Sequence, residues 1–188
     1  MKNNFNLQHS PKEFNQRPPK DRYYLNIAKQ IAQRSTCFRI RFGAIVVKED
    51  AIVATGYVGA PRKTLDCFER GECLRDRMHI PHGHRYEICR SVHAEQNALI
   101  NAARSGASVL GADMFIYGEK PDGEFIDAFP CFICKKMVIN AGLERVVCST
   151  HNGGYQVFKV KDWIKDWQKK DIIDDKHQYG VDQNKKES

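Results

Sequence analysis

The chain has no apolar run approaching the ~20 residues that a membrane-spanning helix requires, which excludes a helical membrane protein. Its first twenty residues (MKNNFNLQHSPKEFNQRPPK) lack the apolar stretch of a secretory signal, so a cytoplasmic location is expected. There is no internal repeat, which argues against a solenoid or propeller. Negative charge is the scarcer sign: 23 acidic residues face 30 basic ones, a formal net charge of +7. Such a balance suits an anionic substrate, but it also fits proteins that bind nothing acidic, and many of the lysines lie in the two tails.

What is present fits one domain. A length of 188 residues with 41% hydrophobic content allows a substantial core. Residues 1–20 are polar, with Pro11, Pro18 and Pro19, and are expected to be disordered. A folded domain is expected over 21–175, followed by a polar, flexible tail over 176–188. Apolar spacing predicts helices over 22–33 and 161–173, and β-branched runs predict a hairpin of 43–48 with 52–56. A helix is predicted over 93–104, a strand over 114–117, a helix over 130–140 ending near Gly142, and a strand over 144–148. That order implies a mixed sheet covered by helices.

Seven cysteines without an export signal argue against a disulfide framework and need another explanation. Cys148, in the apolar run 145–148, reads as a small buried strand residue. His93-Ala94-Glu95, followed by Pro130-Cys131-Phe132-Ile133-Cys134, reads as one catalytic zinc site. A catalytic zinc takes three protein ligands and keeps its fourth position open. His93, Cys131 and Cys134 supply three donors, and Glu95 is left to move protons. Pro130 suits a first helical position, which would set Cys131 and Cys134 on one face of the first turn. The positive end of that helix would favour thiolates. Alone, Cys-x-x-Cys is equally a redox pair or half a zinc ribbon, and His-x-Glu says little; together and in order they mark zinc-dependent nucleobase deaminases.

At this point the chain resembles the cytidine and deoxycytidylate deaminase superfamily, and within it the deoxycytidylate deaminase family. The resemblance runs over residues 22–150: 35–48 (STCFRIRFGAIVVK), 56–62 (GYVGAPR), Cys67, 89–98 (CRSVHAEQNA) and 129–134 (FPCFIC). It implies an α/β fold, a three-layer α/β/α sandwich around a mixed five-stranded sheet. It also implies hydrolytic conversion of dCMP to dUMP with release of ammonia, a homo-oligomer, and in many relatives regulation by dCTP and dTTP. A second, structural zinc is implied as well. Cys37 and Cys67 match its positions, and Cys73 with Cys89 would complete a Cys₄ set. Otherwise His79, His82 or His84 replaces one cysteine, or the cysteines are simply buried. Such a metal would explain how residues 57–92, rich in Gly, Pro, Cys and His, stay folded.

Substrate contacts are less defined by the sequence. Val58 stands where the family usually has an asparagine whose amide touches the substrate, so the identity of the substrate is open. The main-chain N–H of Ala94 or Cys131 could orient the base or stabilise charge. Phe129 could pack on the ring or be an ordinary core aromatic. Arg62, Lys63 and Arg104 are candidates for a phosphate, although single basic residues are more often solvated surface. Two other readings compete with a free-nucleotide deaminase. A deaminase acting on a base in RNA or single-stranded DNA would want a long basic surface with stacking aromatics, and here Arg70, Arg75, Arg77 and Arg85 have acids between them. A non-catalytic, zinc-stabilised binding protein would have no need of Glu95 beside the metal ligands. Nucleic acid is therefore the less favoured partner.

Overall fold

A computed structural model describes residues 17–81 and 84–172. The predicted disorder of residues 1–20 and the tail over 176–188 lie largely or wholly outside those residues. The elements run α1 (Lys20–Ala32), β1 (Arg41–Lys48), β2 (Ala51–Tyr57), α2 (Cys67–Arg70), α3 (Leu74–Arg77), a 3₁₀ turn (Tyr86–Ile88), α4 (Ala94–Ser105), β3 (Asp113–Glu119), α5 (Phe132–Asn140), β4 (Arg145–Ser149), β5 (Tyr155–Lys159) and α6 (Val160–Lys169). The strands form one mixed sheet in the order β2-β1-β3-β4-β5, in which only β3 and β4 are parallel.

The central strands are buried on both faces, which is why they read as continuous apolar runs. Their side chains still alternate. Ile45, Val47, Phe115, Tyr117 and Val147 pack against Tyr24, Leu25, Ala28 and Ala32 of α1. Ala44, Val46, Met114, Ile116, Val146 and Cys148 face the other way, toward Ala94, Ala98 and Ala102 of α4, Val138 of α5 and Trp163 of α6. This is the three-layer sandwich. Each large aliphatic or aromatic side chain buried in these two layers contributes about 1.5–3 kcal/mol. Cys148 is fully buried, as expected of a strand residue in this core.

Local chemistry sets the element boundaries. Glu49 and Asp50 both have positive φ, 49° and 65°, and form the two-residue turn that matches hairpin twist. Gly142, with φ 70°, ends α5 while the Leu143 N–H donates to the Val138 carbonyl at 3.3 Å. Two expectations need correction. α5 begins at Phe132 with Cys131 as its N-cap, so Pro130 lies ahead of the helix instead of opening it. The strand β5 was absent from the pattern-based reading; its side chains are mostly exposed at the sheet edge, so it shows no apolar run.

The stretch 57–92 holds itself with short pieces. The Asp66 carboxylate accepts from the Glu69 N–H and the Glu69 carboxylate accepts from the Asp66 N–H, both at 2.9 Å, a reciprocal cap that starts α2 at Cys67. A short antiparallel bridge joins Gly59 to Val92 and so ties the loop after β2 to the residue before His93.

Candidate active site

The site sits where two helices begin. His93 is the N-cap of α4 and Cys131 the N-cap of α5, and Cys134 follows in the first turn of α5. The Gln96 side chain accepts from the His93 N–H at 3.1 Å and fixes the entry to α4. The helix is in turn pressed onto β2. A Cβ placed on Gly56 would come within 2.3 Å of the Ala94 carbonyl oxygen and the Ala98 nitrogen, so glycine permits this approach. The Asn97 and Asn101 amides donate to the Tyr57 and Thr55 carbonyls of β2 at 2.8 and 2.7 Å. A strand and a helix thereby locate the His93 backbone independently of any metal.

His93 Nδ1 lies 3.4 Å from Cys131 Sγ and 3.3 Å from Cys134 Sγ. A tetrahedral zinc with one nitrogen and two sulfur ligands would require nitrogen–sulfur edges of about 3.6 Å. The donor set and its spacing therefore fit zinc. Among the described residues it is the one cluster of three metal-binding side chains whose ligand atoms all lie within 4.8 Å of each other.

Electrostatics sort the groups. Cys131 is held down to about 4, mainly by its hydrogen bond from the Cys134 thiol and then by His93, against the effect of burial. Cys134, which donates in that pair and is buried, is pushed far up. Burial alone would lower His93, but the contact with Cys131 and the charge of Glu95 outweigh it and raise the pKa. Glu95 is 4% exposed, and burial raises its pKa while His93 opposes the shift. It therefore sits at the cluster as a carboxyl that can both hold and release a proton.

A cavity of about 780 Å³, open space at its mouth included, adjoins this cluster. His93, Glu95, Cys131 and Ala94 line it on one side, and Val58 and Phe129 line it on another. Val58 is 4% exposed; its N–H donates to the Phe42 carbonyl and its carbonyl accepts from the Thr36 N–H, both at 3.1 Å. Phe129 meets Phe158 edge to face at 5.2 Å, so it is a core aromatic with a side turned to the cavity. Arg62 and Arg104 are not brought there. The Arg62 guanidinium donates to the Asn101 side chain at 2.6 Å on the outer surface of α4, and Arg104 is exposed in the last turn of that helix. Arg39, Arg75 and Tyr86 do line the cavity, and sequence reasoning did not pick them out for it. Only the fold joins them to the site.

Cys37, Cys67, Cys73 and Cys89 also border this space. All are free thiols. Burial raises Cys37, with Cys89 and Cys67 adding to it, and burial likewise raises Cys67, with Cys73 and Cys89 adding to it. They are neighbours, yet no three of their sulfurs lie within 4.8 Å of one another.

The profile of the cytidine and deoxycytidylate deaminase zinc-binding region matches residues 18–150. The chain belongs to this family. It is 36% identical over 135 residues to a deoxycytidylate deaminase of Mycobacterium phage D29, covering 70% of this chain and 94% of that one. It is 33% identical over 134 residues to a deoxycytidylate deaminase of Schizosaccharomyces pombe, covering 71% of this chain. The chain spans only 38% of that relative's length, and 42% of a Saccharomyces cerevisiae deoxycytidylate deaminase. In structure it resembles the dCMP deaminase of cyanophage S-TIM5 in complex with dCMP and dUMP, with a TM-score of 0.50 at 29% identity, covering 70% of this chain and 81% of that one. No helix among the described residues is long and apolar enough to cross a membrane.

Proposed function

We propose that this protein is a zinc-dependent hydrolase that deaminates a cytosine nucleotide, most favourably dCMP to dUMP with release of ammonia. The observation that carries this is the buried Glu95 carboxyl beside the His93, Cys131 and Cys134 donors, at the wall of one cavity. Relatives named deoxycytidylate deaminase at 33–36% identity, and the S-TIM5 enzyme's complex with dCMP and dUMP, support the choice of substrate.

His93, Cys131 and Cys134 would hold the zinc, which supplies the Lewis acidity that makes water nucleophilic near neutral pH. Glu95 takes a proton from the attacking water, delivers it to N3 of the ring, and carries the next one to the departing amine at C4. Its raised pKa favours this shuttle, because a carboxyl that is too acidic could not return the proton. The apolar wall of Val58 and Phe129 would hold the flat base and exclude bulk water.

A second, structural zinc on Cys37, Cys67, Cys73 and Cys89 is part of the same reading. Four thiols around one space, three of them in a segment of short helices, support it. Binding would require their sulfurs to draw in to edges of about 3.8 Å. Cytoplasmic location and homo-oligomerisation belong here too, the latter supported by exposed Ile52 and Tyr57 on the edge strand β2 and exposed Ile100 on α4. Ammonia release by the zinc-loaded protein, measured over cytosine nucleosides and their mono- and triphosphates, tests the function. Turnover of dCMP is expected, and absence of turnover on every cytosine compound would overturn the reading.

A further inference from the structure

We propose that Lys135 and Trp163 are positioning residues for the active-site metal: with Phe158 they hold both ends of the Cys131–Cys134 turn, so that β5 and α6 set where the two thiols stand. The inference rests on the reading of His93, Cys131 and Cys134 as the zinc site and adds the side chains that fix it in place.

Phe129 precedes the turn and Lys135 follows it directly. Phe129 meets Phe158 of β5 edge to face at 5.2 Å. Phe158 lies against Trp163 of α6, ring centroids 5.7 Å apart. The Lys135 ammonium lies over the Trp163 ring, 5.2 Å from its centroid. A chain of four side chains therefore leaves the cysteine turn on one side and returns to it on the other. The Lys135 N–H also donates to the Cys131 carbonyl at 2.8 Å, so the residue that Trp163 contacts closes the first turn of α5 onto a thiol-bearing residue. The bracket is itself anchored. Phe158 pairs with Val146 across the sheet, and the Val160 N–H donates to the Glu144 carbonyl at 2.9 Å where α6 begins. Both β5 and α6 follow residue 150, where the match to the family profile ends.

Lys135 is 1% exposed and Trp163 6%. Lysine is rarely buried so fully, because taking an ammonium out of water is costly unless partners offset the loss. The face of a tryptophan is the strongest aromatic partner for a cation, and the attraction grows when both are desolvated. A methionine at this position would fill similar space without the cost, so filling space does not account for the ammonium. What it adds is direction. Apolar contacts between α5 and α6 tolerate sliding and repacking, whereas an ammonium over a ring favours one arrangement. Because Lys135 adjoins Cys134 and bonds back to Cys131, that arrangement also sets the thiols, and groups that orient metal ligands govern how tightly the ion is held.

The test uses the full chain with cobalt(II) in place of zinc, whose visible bands report ligand geometry, and with Cys131→Ser as the blank for any other bound ion. Wild type is compared with Lys135→Met, Trp163→Leu and Trp163→Phe, at a temperature where thermal unfolding shows each to be folded. Lys135→Met and Trp163→Leu should shift the bands and release the active-site ion to a chelator about 10- to 100-fold faster. In the zinc-loaded proteins kcat for dCMP should fall more than KM rises. Trp163→Phe keeps a ring under the ammonium and should recover most of the loss. Should Trp163→Leu fail to fold, Lys135→Met decides alone. Folded variants with unshifted bands and wild-type release would overturn the proposal and leave the four side chains as ordinary core packing. Shifted bands in the variants of a protein that turns over no cytosine compound would keep the bracket and remove the deaminase reading. A wild type that takes up no metal on His93, Cys131 and Cys134 would overturn both.

Discussion

A Cβ on Gly56 would stand 2.3 Å from the Ala94 carbonyl oxygen, closer than any side chain can sit against backbone. β2 therefore sets the height at which α4 begins, and with it the positions of His93 and Glu95. Gly56→Ala should push the helix N-terminus outward. Overpacking of this kind costs about 1–3 kcal/mol, and backbone offers less give than a side chain. Thermal unfolding and zinc retention should fall together. A variant with wild-type stability and metal content would show that α4 can slide on the sheet.

Glu95→Ala should abolish deamination while zinc stays bound. The carboxyl is within the site but outside the three-donor cluster, so its loss removes proton transfer and leaves His93, Cys131 and Cys134 in place. The loss should be at least about 10²–10⁴-fold, the usual weight of a positioned acid–base group. Turnover and metal content measured on one preparation check it. Substantial activity in zinc-loaded Glu95→Ala would remove the role.

Two zinc ions per chain are expected on metal analysis. Cys131→Ser should lose the active-site ion and all activity. Cys67→Ser should chiefly lower stability, because a structural zinc contributes folding free energy directly. A folded, active chain holding one zinc would leave Cys37, Cys67, Cys73 and Cys89 as ordinary free thiols.

The legible parts of this chain are those governed by neighbours in sequence. The β1–β2 hairpin, α4, β3, α5 and β4 all announce themselves by apolar period or by Gly at a turn, and they fall within a few residues of expectation. The clustering of His93, Cys131 and Cys134 was legible for the same reason, since two short motifs carry them. What stayed hidden depends on tertiary placement. Strand β5 is defined by pairing with β4 and buries little, so it leaves no pattern. Arg62 and Arg104 drew attention through charge near the motifs but face outward, whereas Arg39, Arg75 and Tyr86 reach the cavity only through the packing of the segments 35–40 and 74–89. The reciprocal cap of Asp66 and Glu69 was readable as D-x-x-E, and it marks where the irregular stretch first becomes helical.

Val58 gives the sharpest test of the substrate. Its side chain is packed in the apolar cluster at the cavity wall, and both of its backbone groups are already bonded, to Phe42 and Thr36. An asparagine here would bury an amide with no partner on the backbone at hand, at a cost of roughly 1–3 kcal/mol in the absence of ligand. A substrate with a polar edge at that point would offset the cost. On the deaminase reading, another protein group serves the polar edge of the substrate in place of the missing amide. The wild type is therefore expected to turn over dCMP, and Val58→Asn should lower stability while changing the ranking of dCMP, CMP, dCTP and deoxycytidine. Paired kinetics on the four compounds, with unfolding of the free proteins, decide the matter. If the wild type leaves dCMP untouched and Val58→Asn gains strong dCMP turnover, then valine excludes dCMP, and the natural substrate lacks the polar group that asparagine would meet.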